Sequence, residues 1–187
     1  MTWPVELRGV TESLVTTRGP NGKWNVAALG LHAGSRVTAR TYGRTRTWRN
    51  FHEEGEGYVQ FPTDPVDFVD GALSVYEVGD PVLDSAGAWA RVEVEQMDSA
   101  EKGDITVETW TLTPVESAVV AESVPTINRG FNAVIEATVA ASRLDVPEYN
   151  TETLSARLDY LADVVAACGG PREHEALNRL QSYVSWE

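Results

Sequence analysis

Arg40-Thr41-Tyr42-Gly43-Arg44-Thr45-Arg46-Thr47-Trp48-Arg49-Asn50 (RTYGRTRTWRN) is the most informative stretch of the chain. Its start belongs to Arg36–Tyr42 (RVTARTY), an alternating, β-branched run that reads as a strand. Its second half runs on through Phe51-His52-Glu53-Glu54 to Gly55, so 45–54 reads as a short helix, with Thr45 or Thr47 as N-cap and Gly55 closing it. A helix entered this way presents its first N–H groups unbonded, at the positive end of its dipole. Threonine hydroxyls and arginine forks at the same point complete an oxyanion cradle. A phosphate monoester, whose terminal oxygens need several donors at once, fits it.

The charge distribution points to the same place. The 187 residues carry 28 acids and 15 bases, a formal net charge of −13. No Asp or Glu occurs between Glu12 and Glu53, yet that segment holds Arg18, Lys23, Arg36, Arg40, Arg44, Arg46 and Arg49, a local +7. It is too short and threonine-rich for a nucleic-acid track, and the overall acidity opposes binding to nucleic acid or anionic membrane. Charge alone leaves two readings open: a small-anion site, or surface arginines that pair with distant acids. Only Lys23 and Lys102 among the bases are lysines. Scarce lysine, an acidic surface and many Ala, Val and Thr suggest a halophilic protein, soluble in a salt-rich cytoplasm that screens self-repulsion.

Outward from this stretch, residues 8–18 alternate as a strand and Gly19-Pro20-Asn21-Gly22 supplies a turn. Trp24–Leu31 (WNVAALGL) reads as a buried strand, and His32-Ala33-Gly34-Ser35 as a second turn. Gly57–Phe61 makes a fourth strand. Asp64-Pro65 opens a helix over 64–74. Ala88–Met97 and Ile105–Leu112 form a hairpin joined by the polar stretch Asp98–Asp104. At least six mostly antiparallel strands at this spacing predict a small barrel. Helical stripes follow from Arg129 to Leu144, from Asn150 or Thr151 to Gly169-Gly170, and from Pro171 onward. The expected domains are therefore a barrel over 1–127 and a helical extension over 128–187. Asn128 is expected to be a plain cap for its helix, and Glu136 either a partnered buried carboxylate or a flank residue.

Other chemistries find no footing. The single cysteine, Cys168, allows no internal disulfide, and His32, His52 and His174 lack metal-ligand spacing, so no structural metal is expected. There is no G-x-S-x-G sequence, no Walker loop, and Gln60 stands where a dinucleotide fingerprint after Gly55 and Gly57 would need its third glycine. No apolar run is long enough to span a bilayer, and the start Met-Thr-Trp-Pro-Val-Glu lacks the features of a secretory signal, so a cytoplasmic location is expected.

The combined motifs resemble flavin-reductase-like split barrels. There, an N-x-A-P strand precedes a strand ending in Ser or Thr. A K/R-x-x-T-x-x-N turn and helix follow, then a glycine and a strand ending V-N. Asn25-Val26-Ala27-Ala28 is similar to the first element, with Ala28 in place of proline. Thr41, Arg44, Thr47 and Asn50 fall on the second. Gly55 through Val59-Gln60 falls on the third, with Gln60 in place of Asn. More closely, LRGVTESLVTT, RTRTWRNF and Asn128-Arg129-Gly130-Phe131 running into AVIEATVAASRL resemble an archaeal family of uncharacterised FMN-binding split-barrel proteins, nearly end to end. This resemblance implies an α+β fold, an FMN-binding split barrel followed by a C-terminal helical region, and a homodimer with FMN near the subunit interface. It implies that Thr41, Thr47 and Asn50 hold the phosphate and ribityl chain, with Arg40, Arg44, Thr45 and Arg46 as further phosphate donors. Asn25 and Ala27 would border the isoalloxazine, and Gln60, in place of the family's Asn, joins the expected cofactor-binding residues. The expected function is an FMN-dependent oxidoreductase with unassigned substrate and electron donor. The alternatives are a non-catalytic flavin carrier or sensor, and a barrel for another phosphorylated metabolite such as a pterin or pyridoxal phosphate.

Overall fold

The computed structural model describes residues 2–124 and 126–186. Met1 and Glu187, the outer bounds of the expected domains, lie outside that range. The chain forms two compact units. One takes the described residues up to Thr63 together with Tyr76–Glu122; the other takes Asp64–Val75 and the described residues from Ser123 onward.

The first unit contains β1 (Val10–Arg18), β2 (Trp24–His32), β3 (Val37–Tyr42), α1 (Arg46–Glu54), β4 (Glu56–Pro62), β5 (Tyr76–Val78), β6 (Ala86–Lys102) and β7 (Ile105–Val119). The strands run in the order β1-β4-β6-β7-β3-β2, and a β1–β2 pairing closes them into a six-stranded barrel; β5 adds to the other end of β2. Every pairing is antiparallel. Alternation sends Val15, Leu29, Leu31, Ala39, Val59, Ala90, Val92, Trp110 and Leu112 to the interior. Phe51 of α1 joins them, edge-on to Trp110 at a centroid distance of 5.2 Å. Burying two such rings contributes several kcal/mol, about 2–3 each, and fixes α1 across β1–β4.

The expected hairpin is longer at both ends. Strand structure continues through the polar residues 98–102, because Gly103, at φ 60°, makes a tight turn with Asp104. Met97 and Val115 are left without cross-strand partners at two register shifts. Pro114 lies beyond Leu112, where the β3 pairing ends, and beside the register shift between Arg91 and Val92, the kind of position at which a strand accepts proline. Strand β5 is only three residues long, too short to show a period.

The second unit contains α2 (Pro65–Leu73), α3 (Arg129–Ala141), α4 (Thr151–Cys168) and α5 (Pro171–Tyr183). Val66, Val69, Ala133, Val134, Ala137, Leu154, Leu158, Leu161, Val165 and Leu180 form its core. A Cβ on Gly130 would lie 2.5 Å from the Cα of Gly169, so the start of α3 and the end of α4 meet at a distance only glycine permits. Asp70, buried on α2, accepts from Tyr183 Oη at 2.8 Å and Arg179 Nη1 at 3.2 Å, which ties α2 to α5. Asn128 is a cap, accepting from the amides of Gly130 and Phe131 at 2.8 and 3.2 Å. Glu136 is a flank residue, exposed and paired with Arg157. No helix among the described residues is long and apolar enough to cross a membrane.

Candidate functional site

Helix α1 organises the site. Gly43, at φ 69°, turns the chain out of β3, and its N–H bonds to Thr106 O at 2.8 Å. Thr45 is the N-cap: its Oγ1 accepts from Trp48 N at 3.1 Å, and its own N–H bonds to Gly43 O. The N–H groups of Arg46 and Thr47, at the first two helical positions, have no acceptor within the helix. At the far end Gly55, at φ 68°, returns its N–H to Phe51 O.

Two flanks of α1 meet the barrel differently. On one, Thr17, Asn25 and Glu77 stand directly opposite one another across β1, β2 and β5. Asn50 Nδ2 donates to Thr17 Oγ1 at 3.0 Å, and Arg46 Nη1 donates to Glu77 Oε1 at 2.6 Å. Asn25 is the middle residue of that row and is therefore straddled by the first turns of α1. Its exposure is 6%, that of Thr47 is 5%, and neither side chain forms a hydrogen bond with another described residue. Among the described residues no fully enclosed side-chain N or O lacks a partner, so the polar atoms of Asn25 and Thr47 open to solvent.

On the other flank Thr41 Oγ1 accepts from Trp110 Nε1 at 2.9 Å. Glu108, opposite Thr41 in register and buried, lies 2.8 Å from His52 Nε2. The His52 ring stands edge-on between Trp48 and Trp110, at 4.6 and 4.8 Å. Arg44 lies over Trp48 at 5.8 Å, a cation–π contact.

Two expected contacts are taken up internally. Asn50 has no exposed surface; its Oδ1 accepts from Arg49 Nε and Nη2 at 3.1 and 2.9 Å, while its amide is held by Thr17. Gln60 is likewise fully buried: Nε2 donates to Thr16 Oγ1 at 3.1 Å and Pro81 O at 2.9 Å, and Oε1 accepts from Leu83 N at 2.7 Å. Thr16 also bonds to Pro81 O. Gln60 pairs with Leu14 of β1, a neighbour of the interior-facing Val15, so its side chain is on the outer wall. Asn25 and Ala27 share the inward-facing parity of Leu29 and Leu31.

Arg46 pairs with Glu77 at 2.6 Å, and Arg49 reaches Glu53 only at 3.9 Å, a weak exposed pair. Arg18, Lys23, Arg36, Arg40 and Arg44 have no carboxylate partner among the described residues. Around α1 the structure thus gathers two amides and the open side chains of Thr47 and Asn25, none bonded to another described residue, and the guanidinium of Arg44, which has no carboxylate partner among them. Arg40 lies one strand-turn away on the outer face of β3. This donor-rich set suits a phosphate. Sequence reasoning missed Thr17 and Glu77, which reach the site through pairings without a local signature.

Residues 11–121 match the family model described as the N-terminal domain of a protein of unknown function (DUF447), and residues 128–182 match the second DUF447 model. Among solved structures, an FMN-bound DUF447 protein from Methanosarcina mazei is similar over 95% of this chain and 96% of its own, at TM-score 0.81 and 24% identity. That similarity establishes a shared fold, a barrel with C-terminal helices. Flavoredoxin from Methanosarcina acetivorans aligns over 67% of this chain and 76% of its own, at TM-score 0.44 and 12% identity. The flavin reductase HpaC, complexed with NADP+, aligns over 62% and 81%, at TM-score 0.43 and 16% identity. No match was found among functionally curated proteins.

Proposed function

We propose that this chain, which belongs to the DUF447 family, binds FMN with its phosphate at the N-terminus of α1 and acts as a flavin-dependent oxidoreductase. The observation that carries the binding claim is the pairing of unbonded α1 amides with two side chains, Thr47 and Asn25, that are more than nine-tenths buried, unpartnered and open to solvent. The FMN held by the M. mazei relative supports the choice among phosphorylated ligands.

The residues divide by what they already bond. The amides of Arg46 and Thr47 and the Thr47 hydroxyl would hold the phosphate, with Arg44 and Arg40 supplying charge. Asn25 would face the remainder of the cofactor, with Ala27 beside it. Thr45 holds the helix start by its cap, Thr41 anchors Trp110, Asn50 clamps α1 to β1, and Gln60 fixes the loop through Pro81 and Leu83. A bound flavin supplies hydride and single-electron transfer, leaving binding, orientation and water exclusion to these residues.

The homodimer implied by the resemblance belongs to this reading. Tyr42 is 52% exposed and stands opposite Val107 of β7, with exposed Ile105 on the same face, a strip of apolar surface suited to a second copy. The acid-rich, lysine-poor composition supports a salt-rich cytoplasm as its setting.

Protein purified in high salt should be yellow or take up added FMN stoichiometrically. A colourless protein that binds no FMN overturns the reading. Anaerobic mixing of the loaded protein with NADH or NADPH should bleach the flavin; persistence of the oxidised spectrum with both would instead favour a flavin carrier or sensor.

A further inference from the structure

Glu77 is an acid placed where a phosphate cradle should not want one. Its carboxylate is bound by Arg46 Nη1 at 2.6 Å and by Asn21 Nδ2, 3.3 Å from each oxygen. It stands directly opposite Asn25 in the β2–β5 pairing, so the two side chains share a face with Cβ atoms about 5 Å apart. The side chain is 24% exposed. A carboxylate can accept about four hydrogen bonds. Arg46 and the shared Asn21 amide leave Oε2 with accepting capacity on the face that Glu77 shares with Asn25.

We propose that Glu77 and Asn25 form a hydroxyl-reading pair beside the phosphate cradle, so that the site selects a phosphorylated polyol over a bare phosphate. This rests on the phosphate placement above and deepens it. Alcohol O–H groups are donors, and an ionised carboxylate is the strongest acceptor for them. The amide of Asn25 both donates and accepts, matching the second half of each hydroxyl. The same carboxylate repels an oxyanion seated nearby, which weakens small inorganic anions that bring no hydroxyl in return. Selectivity then combines an attraction with a repulsion. Arg46 neutralises part of the carboxylate charge and fixes its position, so the repulsion does not close the cradle to phosphate.

The test titrates isotopically labelled protein with inorganic phosphate and, separately, with ribitol 5-phosphate, following the amide NMR signals of Arg46, Thr47 and the Asn25 side chain. The wild type should bind ribitol 5-phosphate at least tenfold more tightly than phosphate. Glu77→Ala should tighten phosphate severalfold, weaken ribitol 5-phosphate, and reduce the preference about tenfold. Glu77→Gln keeps an acceptor and the size of the side chain, and should lower the preference by a smaller factor; it serves where the alanine variant does not fold. Equal wild-type affinity for the two probes, binding of neither, or a preference unchanged in the folded variants overturns the proposal. Neither probe contains a flavin. A protein that prefers ribitol 5-phosphate yet takes up no FMN therefore fails the functional reading and upholds this one.

Discussion

Asn50 and Thr47 sit on the same face of α1, one turn apart, and the structure predicts opposite consequences for removing their polar groups. Asn50 bonds Thr17 Oγ1 at 3.0 Å and accepts from Arg49 at 2.9 and 3.1 Å, with both Asn50 and Thr17 fully buried. Asn50→Ala leaves the Thr17 hydroxyl without that partner, a cost of about 1–3 kcal/mol. The Arg49 side chain is 40% exposed and can turn to water, so the charge-assisted bond is discounted to about 1 kcal/mol. With a small packing loss, Asn50→Ala should destabilise the flavin-free protein by about 2–4 kcal/mol. Thr47 has no side-chain hydrogen bond to lose among the described residues. Thr47→Val keeps its shape and should leave unfolding within about 0.5 kcal/mol of wild type. It should nevertheless weaken FMN binding by about 1.5–3 kcal/mol, the worth of a hydrogen bond to a charged group, or roughly 10- to 150-fold in Kd. Urea unfolding at constant m-value and FMN titration by fluorescence quenching measure the two quantities. If Asn50→Ala unfolds like wild type while losing FMN as strongly as Thr47→Val, Asn50 touches the ligand and its assignment as a clamp is refuted. If Thr47→Val binds FMN unchanged, the cradle is not at the start of α1.

Further substitutions probe the supports. Gln60→Leu leaves the Leu83 amide without its side-chain partner and the Pro81 carbonyl with Thr16 alone, and should cost about 1–3 kcal/mol in urea unfolding, with the bound-flavin spectrum unaltered. Gly55→Ala forces a side chain to φ 68° and should cost about 1–2 kcal/mol by the same assay, with FMN affinity of the folded fraction retained. Gly130→Ala places a methyl 2.5 Å from backbone and should lower the thermal midpoint sharply, at a cost of about 2 kcal/mol or more, since neither glycine backbone can yield as a flexible side chain would. Arg44→Gln should weaken FMN binding most at low salt and flatten the dependence of log Kd on log salt, read by titration across a salt series.

Local chemistry made most of the architecture legible. Thr45 as N-cap, Gly55 as terminator, Pro65 and Pro171 at helix starts, and Gly169-Gly170 between α4 and α5 are punctuation that each element writes for itself. What the sequence hid was decided at long range. Strand β5 forms because Trp24–Val26 offers it an edge, not because Tyr76–Val78 has a pattern. The hairpin overran its expected ends because cross-strand pairing outweighs the polarity of residues 98–102. The same distinction runs through the site. The threonines and arginines of Arg40–Asn50 suggest the proposed phosphate cradle from sequence alone, whereas the row Thr17–Asn25–Glu77 exists only once three strands, separated by up to sixty residues in the chain, have paired. Whether Asn50 and Gln60 face a ligand or a neighbour is equally a matter of pairing, and both spend their hydrogen-bonding capacity inside the barrel unit.

The unpaired cations bear on how such a site works in salt. A chain with 28 acids could supply surface partners for Arg18, Lys23, Arg36, Arg40 and Arg44, yet the described residues provide none. Exposed pairs are worth only about 0.2–1 kcal/mol, so leaving them out costs little stability while keeping the charge of Arg44 available beside Trp48 of α1. If the composition reflects a molar-salt interior, however, the Debye length there is about 3 Å, and an exposed arginine attracts a phosphate only at contact. Affinity would then rest on groups sheltered from salt: the amides of Arg46 and Thr47, the Thr47 hydroxyl and Asn25. A steep loss of FMN affinity on removing the Thr47 hydroxyl, nearly independent of salt, beside an Arg44 effect that fades as salt rises, is the pattern this division of labour requires.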